Sequence, residues 1–317
     1  MRSRSRWRLP LAVAALVIAY PFLRDAALHY DGRIVPSAPT GHLRVVSWNL
    51  RNFPGHHDLD RLREHLDELD PQVLAAQEVL EPQALFALRP RWQWRASQTG
   101  GRHGQRLVFG WDPTRVTVDE VVEHPELSMD GKVRPALSAR VKPLGRNAGS
   151  AFRIVNVHLK ATRDGLPLRR EQWTVLANIL GDSLAPEPGT DNLLLVGDFN
   201  VAGGTSTTAV QEQHELEQAL APLGLRVWAS NGGCTAYWEG SRRDAWWEPS
   251  RLDLAWSRTS ALTDPEPGVA WSGAHCARHA CDPVHASEFY PDPDLHGVSD
   301  HCPVVIDRPP GSQSHPS

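Results

Sequence analysis

The sequence predicts an α+β fold, one domain in which two sheets pack together with helices outside them. Strand-like and helical runs interleave along the whole chain, with strands in the majority. No clean linker follows residue 42, so nothing divides this pattern into separate domains. The 317 residues, 41% hydrophobic, are enough for one sizeable core.

Taken in order, Leu43–Leu50 alternates as a half-buried strand does and carries Asn49 near its end. Residues 57–70 place Leu59, Leu62, Leu66 and Leu69 at helical spacing, and Pro71 ends that helix. Val73–Val79 is the next strand, with Glu78 at its exit; a carboxylate in so apolar a run requires a partner. A short helix over 81–88, a strand through Trp92 and Trp94, and a loop marked by Gly100, Gly101 and Gly104 follow. Leu107–Trp111 and the stretch with Val116 and Val118 are strand-like. Arg134 stands at the entrance of a further strand, where its forked guanidinium can grip a phosphate or a surface carboxylate.

Phe152–Lys160 alternates most clearly: Asn156, His158 and Lys160 share one face, opposite Val155, Val157 and Leu159. A helix over 168–181 leads to Leu193–Val196, four apolar residues that read as a buried strand. Gly197 then opens a turn from which Asp198 and Asn200 emerge on one side. Residues 209–223 form another helix. Arg251–Trp256 is a strand holding a lone Asp253, which requires a cationic or hydrogen-bonding partner. Residues 257–298 lack helical periodicity and are expected to form a long loop. Ser299-Asp300-His301 introduces a last strand over Cys302–Ile306.

The chain begins with Arg2, Arg4, Arg6 and Arg8 ahead of an apolar run from Leu11 that extends to Leu23. This layout predicts a signal peptide or membrane anchor over residues 1–27, with the domain exported: secreted, periplasmic or anchored outside the cytoplasmic membrane. Residues 28–42 read as linker, 43–307 as the domain and 308–317 as a disordered tail. The net charge is −4, although residues 1–30 hold five arginines against one aspartate, so the body is acidic. Tight nucleic-acid binding by charge alone is therefore excluded; transient binding assisted by divalent cations is not. Four cysteines suit an oxidising compartment. Cys276 and Cys281 are expected to close a small ring, leaving Cys234 with Cys302, and free thiols stay open as the alternative. A zinc site joining Cys276 and Cys281 to His275 and His279 lacks a standard spacing.

Strand ends thus carry Asn49, Glu78, His158, Asp198, Asn200, Asp253, Asp300 and His301. Each has a bland reading as an ordinary turn or surface residue. Together they suit metal-assisted attack of water on a phosphate ester, with a histidine near its free pKa as base and a carboxylate to orient it. Oxygen ligands favour magnesium, manganese or calcium over zinc.

Trp48-Asn49, Gln77-Glu78-Val79, Asn156-Val157-His158-Leu159, Gly197-Asp198-Phe199-Asn200, Arg251-Leu252-Asp253 and Ser299-Asp300-His301 resemble the motifs of the endonuclease/exonuclease/phosphatase superfamily, which includes pancreatic deoxyribonuclease. The resemblance runs from about residue 43 to 307. It implies a four-layer sandwich, two mixed β-sheets face to face with outer helices. It also implies that Glu78 binds the principal divalent ion with Asn49 and Asp300, the ion being Mg2+, with Mn2+ or Ca2+ as alternatives. By the same resemblance His301, paired with Asp253, assists proton transfer from water, while Asp198 and Asn200 orient the nucleophile and a phosphate oxygen. His158 and Arg134 match phosphate-contacting residues of the deoxyribonuclease-like branch. Asn156, Lys160 and Arg106 are further candidates for phosphate or substrate binding. Two positions depart from that branch: Gln105 stands where a glutamate supports the histidine equivalent to His158, and Cys302 follows the Asp300-His301 pair.

The expected activity is a nonspecific endonuclease acting as a monomer, with nucleic acid as substrate and no obligate protein partner. Arg102, Arg106, Arg134, Lys160 and Arg242-Arg243 would touch phosphates, and Trp246 and Trp247 would stack on unpaired bases. A phospholipid hydrolase of the sphingomyelinase kind, or a small-molecule phosphodiesterase, is the runner-up. Export and membrane association through the N-terminus suit the lipid reading, but no long aromatic hairpin is evident between the last strands. A catalytically inactive binding module is the third reading, disfavoured because every main metal and histidine position is filled.

Overall fold

The computed structural model describes residues 35–145, 150–184, 193–231, 233–240, 245–258 and 269–309. The arginine-flanked apolar segment, most of the expected tail, and Arg242-Arg243 lie outside the described residues. Among those described, no helix is long and apolar enough to cross a membrane.

The strands in chain order are β1 (Leu43–Phe53), β2 (Val73–Val79), β3 (Gln93–Ala96), β4 (Arg106–Trp111), β5 (Val116–His124), β6 (Ala136–Pro143), β7 (Phe152–His158) and β8 (Leu193–Asp198). They continue with β9 (Arg226–Val227), β10 (Ala229–Asn231), β11 (Ala236–Glu239), β12 (Trp246–Ser250), β13 (Asp253–Arg258), β14 (Val269–Ser272), β15 (Val284–His285) and β16 (Val304–Arg308). The α-helices are α1 (Leu59–Leu69), α2 (Pro82–Leu88), α3 (Leu166–Asn178), α4 (Ala209–Leu220), α5 (Ala274–Arg278) and α6 (Pro293–Gly297). One mixed sheet has the order β10-β14-β16-β1-β2-β4-β3, the other β5-β6-β7-β8-β13-β9.

Strand alternation builds the layers. In β1, Leu43 and Val45 join Leu137, Ile154, Leu194 and Ala255 of the second sheet in a core between the sheets. Val46, Trp48 and Leu50 point the other way and pack on α1 and α2. On the far side, Val155, Val157, Leu193 and Leu195 meet α3 and α4 through Trp173, Leu176, Leu216 and Leu220. The result is the α+β sandwich expected, helices outside two mixed sheets. The helices have local causes as well. Asp58 caps α1 by accepting from Arg61 N–H, and Thr208 with Gln211 forms a capping box on α4. A fully buried Arg169–Glu212 ion pair locks α3 to α4 at 2.5 Å.

The stretch over 257–298 departs from the expected loop. Its described part contains β14, α5, β15 and α6, elements of two to five residues that are too short to show a period. They are held by tertiary bonds instead. Asp292 and Asp294 gather Arg278, Arg61, His65 and His279, and β15 completes a small sheet of order β11-β12-β15. The hairpin β11–β12 is short and exposes Trp238 and Trp246 on its outer face. Arg308, expected in the tail, belongs to β16 and lies 3.8 Å over the Phe152 ring.

The disulfides also depart from expectation: Cys234 bonds Cys281, and Cys276 bonds Cys302. Cys276 lies on α5 with its amide turned to Cys302 Sγ, whereas Cys281, past the end of that helix, reaches Cys234. The helical turn between Cys276 and Cys281 sends their sulfurs to different strands.

Burial pushes the His275 imidazole down to about 4, against the opposing pull of the Asp292 and Asp294 carboxylates. A folded-state pKa below the unfolded value gives stability that is present above about 6.5 and lost as pH falls toward 4. Urea melts of wild type and His275→Gln at pH 7 and pH 4 isolate this group. Wild type is expected to lose up to about 3 kcal/mol more than the variant over that interval; parallel losses would contradict the assignment.

Candidate active site

Polar residues follow the apolar ones at one end of the space between the sheets. Inward positions on β7 run Phe152, Ile154, Asn156 and His158; on β8 they run Leu194, Val196 and Asp198; on β13 they are Ala255 and Asp253. Register sets His158 opposite Asp198 and Asp198 opposite Asp253, so three ionisable side chains form a row across the second sheet. Gly197 makes the close approach possible. Its φ is 138°, and a Cβ there would lie 2.0 Å from the Val157 carbonyl oxygen.

From the first sheet, Asn49 follows Leu43 and Val45 inward. Glu78 does not follow so simply. Ala76 faces the outer helices, and a regular strand would send Glu78 the same way. Instead Glu78 adopts φ 56° and the β2–β4 register shifts after Ala76. Its carboxylate then accepts from Asn49 Nδ2 at 3.3 Å and from the Asn52 amide at 3.1 Å.

These groups converge on Asp198. Asp198 Oδ2 accepts from Asn49 Nδ2 at 2.9 Å, and lies 3.4 Å from His158 Nε2 and 3.9 Å from His301 Nε2. His301 Nδ1 meets Asp253 Oδ2 at 2.8 Å. His158 Nε2 is 3.6 Å from Glu78 Oε1. Burial and the neighbouring carboxylates of Asp253 and Glu78 push Asp198 up to about 7, with His301 opposing. Burial, with the Arg134 and His301 charges beside it, holds His158 well below its ordinary value, so this imidazole is neutral. Burial also works against a charged His301, but the Asp253 and Asp198 carboxylates outweigh it and hold the imidazole well above its ordinary value.

Such crowding of carboxylates leaves the cluster short of positive charge. Glu78, His158 and Asp198 place ligand atoms within 4.8 Å of one another, and so do Asp198, Asp253 and His301. Carboxylate oxygens with the Asn49 amide suit a hard divalent cation. A third group, His275, Cys276 and Cys302, has its sulfurs bonded to each other and offers no thiolate.

The remaining expected site residues divide. Arg134 is buried and donates from Nε to the His158 carbonyl at 3.1 Å and from Nη2 to the Leu159 carbonyl. Burial lowers it to about 10, with Asp198 and Glu78 acting in opposition. Asn200 turns on Asp198, donating its amide to Oδ1 at 2.8 Å. Asp300 turns toward the Arg51 guanidinium, Nε at 3.4 Å. Asn156 is turned between the sheets: Gln77 Nε2 donates to its Oδ1 at 2.8 Å and its Nδ2 donates to the Ala76 carbonyl at 3.0 Å, so its amide straps the sheets together. Lys160 donates its ammonium to the Ala161 carbonyl at 3.1 Å, which ties it to its own loop. Arg106 stands opposite Val79 in the β2–β4 pairing. Gln105 donates to Asn52 Oδ1 at 2.7 Å and leaves His158 Nδ1 buried without a hydrogen-bond partner. Trp247, expected to stack on bases, is on the inner face of its hairpin with Nε1 donating to the Ala286 carbonyl at 3.2 Å; Trp238 is exposed in its stead.

Arg51 escaped the sequence reading. It lies two residues past Asn49 in β1 with φ 39°, beside Asp300 and 5.9 Å from the centre of the Trp247 ring. Its position after the Trp48-Asn49 motif was the available signal.

The comparisons agree with this geometry. No curated protein matches the chain. Among solved structures, D. rerio TDP2 complexed with a single-strand DNA product is similar at 16% identity and TM-score 0.58, covering 84% of this chain and 98% of that one. The human Nocturnin catalytic domain with bound sulfate matches at 16% identity and TM-score 0.55, covering 86% of this chain and 95% of that one. A Bacteroides thetaiotaomicron mannosyl-6-phosphatase matches at 17% identity and TM-score 0.55, covering 83% and 98%. At these identities the likeness is one of fold. The model of the Endonuclease/Exonuclease/phosphatase family matches residues 46–301. With its clustered carboxylates and histidines, the chain is a metal-dependent phosphoester hydrolase, and it belongs to the Endonuclease/Exonuclease/phosphatase family.

Proposed function

We propose that this protein is an exported, nonspecific endonuclease that hydrolyses nucleic-acid phosphodiesters with magnesium, or manganese in its place. The observation that carries the hydrolytic reading is the 2.8 Å His301–Asp253 contact beside the half-buried Glu78 and buried Asp198 carboxylates. Glu78, Asn49 and Asp300 would hold the ion, which when bound polarises the phosphate and offsets developing charge. Asp253 accepts the Nδ1 proton of His301; with a cation offsetting the carboxylates that keep this imidazole charged, Nε2 would be free to take a proton from the attacking water. Asp198 and Asn200 orient that water. Arg134, anchored on the His158 and Leu159 carbonyls, would offer its charge and remaining guanidinium N–H to a phosphate oxygen, and neutral His158 would donate a hydrogen bond to the phosphate or to the leaving oxygen.

Support for nucleic acid comes from the hairpin beside this site. Ala236 bridges to His301, and Trp238 and Trp246, 53% and 44% exposed, stand on the hairpin's outer face, a surface on which unpaired bases stack. D. rerio TDP2, similar in fold, was seen with a single-strand DNA product. Export is supported by the arginine-flanked apolar start and by the two disulfides. A lipid substrate is the second reading, favoured by Phe289 and Tyr290, 89% and 60% exposed.

Magnesium-dependent rates on supercoiled plasmid, single-stranded DNA, RNA, sphingomyelin vesicles and a sugar monophosphate separate these readings. The expected result is nicking of plasmid and cleavage of single strands, the latter reduced about tenfold by Trp238→Ala. Hydrolysis of vesicles with nucleic acids left intact would overturn the proposal.

A further inference from the structure

Thr235 belongs to none of the sequence motifs, yet it bonds Asp253 of the His301–Asp253 pair and Cys302, the residue that follows His301. It is buried, and its Oγ1 accepts from the amides of Leu252 at 3.0 Å and Asp253 at 2.9 Å. Its carbonyl accepts from the Cys302 amide at 2.8 Å, and its own amide donates to the Ser250 carbonyl at 2.8 Å. Two residues further on, Tyr237 N–H donates to the Asp300 carbonyl at 2.8 Å, continuing the same antiparallel contact. Thr235 therefore bonds the backbone of Asp253 on one side and the backbone just past His301 on the other.

The cysteines frame the same place. Cys234 precedes Thr235 and is bonded to Cys281; Cys302 follows His301 and is bonded to Cys276. Cys276 lies within the short helix α5 and Cys281 just beyond it, so one clasp grips both strands. Around it the elements are small. The hairpin strands have four and five residues, and β15 has two. Strands this short hold their register poorly without a covalent tie.

We propose that Thr235 is a positioning residue for the His301–Asp253 pair, and that the two disulfides make this positioning conditional on oxidation, so that hydrolytic competence is completed only when the four thiols are oxidised. Each bond forms as two thiols pass two electrons and two protons to a disulfide oxidant, such as oxidised glutathione, which leaves as two thiols. In the reduced chain the clasp opens, Thr235 no longer holds the Asp253 amide against the His301 strand, and the pair loses its geometry. The consequence in the cell, a hydrolase silent in a reducing compartment before export, rests on the reading given under Proposed function; the positioning role rests on hydrolysis alone.

The test uses the full chain and bis(p-nitrophenyl) phosphate with magnesium, a diester without bases or lipid. A failure of the nucleic-acid reading therefore leaves this test standing. Thr235→Val, which keeps the shape and removes the acceptor, is expected to lower kcat about 10–10²-fold with KM unchanged. Thr235→Ser, which restores the acceptor, returns to within about twofold. Dithiothreitol lowers wild-type kcat to a similar extent, and oxidised glutathione restores it. Hydrogen–deuterium exchange gives a readout that needs no turnover: the Leu252 and Asp253 amides exchange faster in Thr235→Val and in the reduced wild type, the Cys302 amide, bonded to the Thr235 carbonyl, exchanges faster in the reduced wild type, and all stay protected in Thr235→Ser. If Thr235→Val does not fold, the serine variant and the reduced wild type carry both readouts. Wild-type kcat and protection in Thr235→Val, or in the fully reduced chain, would overturn the proposal.

Discussion

His301→Ala is expected to lower kcat for phosphodiester hydrolysis by about 10²–10⁴-fold, the range a positioned acid–base group contributes. The geometry behind this is the 2.8 Å bond from His301 Nδ1 to Asp253, which turns Nε2 toward Asp198. KM is expected to change little, because in the proposed mechanism the imidazole acts on the attacking water rather than holding substrate. Asp253→Asn lowers the rate through the same bond, and the double variant costs no more than His301→Ala alone, since the two residues act as a unit. A melting curve close to wild type for His301→Ala, beside the collapsed rate, separates chemistry from folding. Full additivity of the two substitutions would show that Asp253 serves something other than His301.

Glu78→Gln is expected to cost at least about 10²-fold in activity at millimolar magnesium, beyond the usual loss when only an outer-sphere partner of a metal is removed. The substitution keeps the size of the side chain and its hydrogen-bonding reach while removing a negative charge from the group formed with His158 and Asp198. Raised magnesium or manganese should recover part of the rate, and calorimetric titration should show weaker ion binding. The local backbone adds a second expectation. Glu78 sits at φ 56°, a conformation that costs a branched-free side chain about 1–3 kcal/mol. Glu78→Gly, which relieves this conformation, being inactive yet no less stable than wild type would show the fold holding this strain for the sake of the site. Undiminished activity with unchanged magnesium affinity would remove Glu78 from the cation site.

Much of this was legible in the sequence, and the reason is alternation. Asn49, His158 and Asp198 follow, and Asp253 precedes, inward apolar residues on the same face of a strand, so the face that builds the core also carries the polar group at its end. Glu78 was found at its strand end although the backbone, not the alternation, turns it inward. What escaped depends on contacts between distant segments. Asn156 shares a face with His158, yet its amide is spent on Ala76 and Gln77 across the sheets. The cysteine pairing turns on where a short helix points, and the small sheet of β11, β12 and β15 is built from strands too brief to carry a period. Thr235 looks like any strand threonine until Asp253 and Cys302 are seen beside it.

The central claim is that a divalent ion and the His301–Asp253 pair act together on a phosphodiester. Its most direct test is hydrolysis of supercoiled plasmid by the oxidised full chain, before and after chelation, with His301→Ala alongside. Nicking that stops with the chelator, returns with magnesium and is missing from a folded His301→Ala protein is the result expected. Nicking that survives chelation, or persists at the wild-type rate in His301→Ala, would contradict the claim.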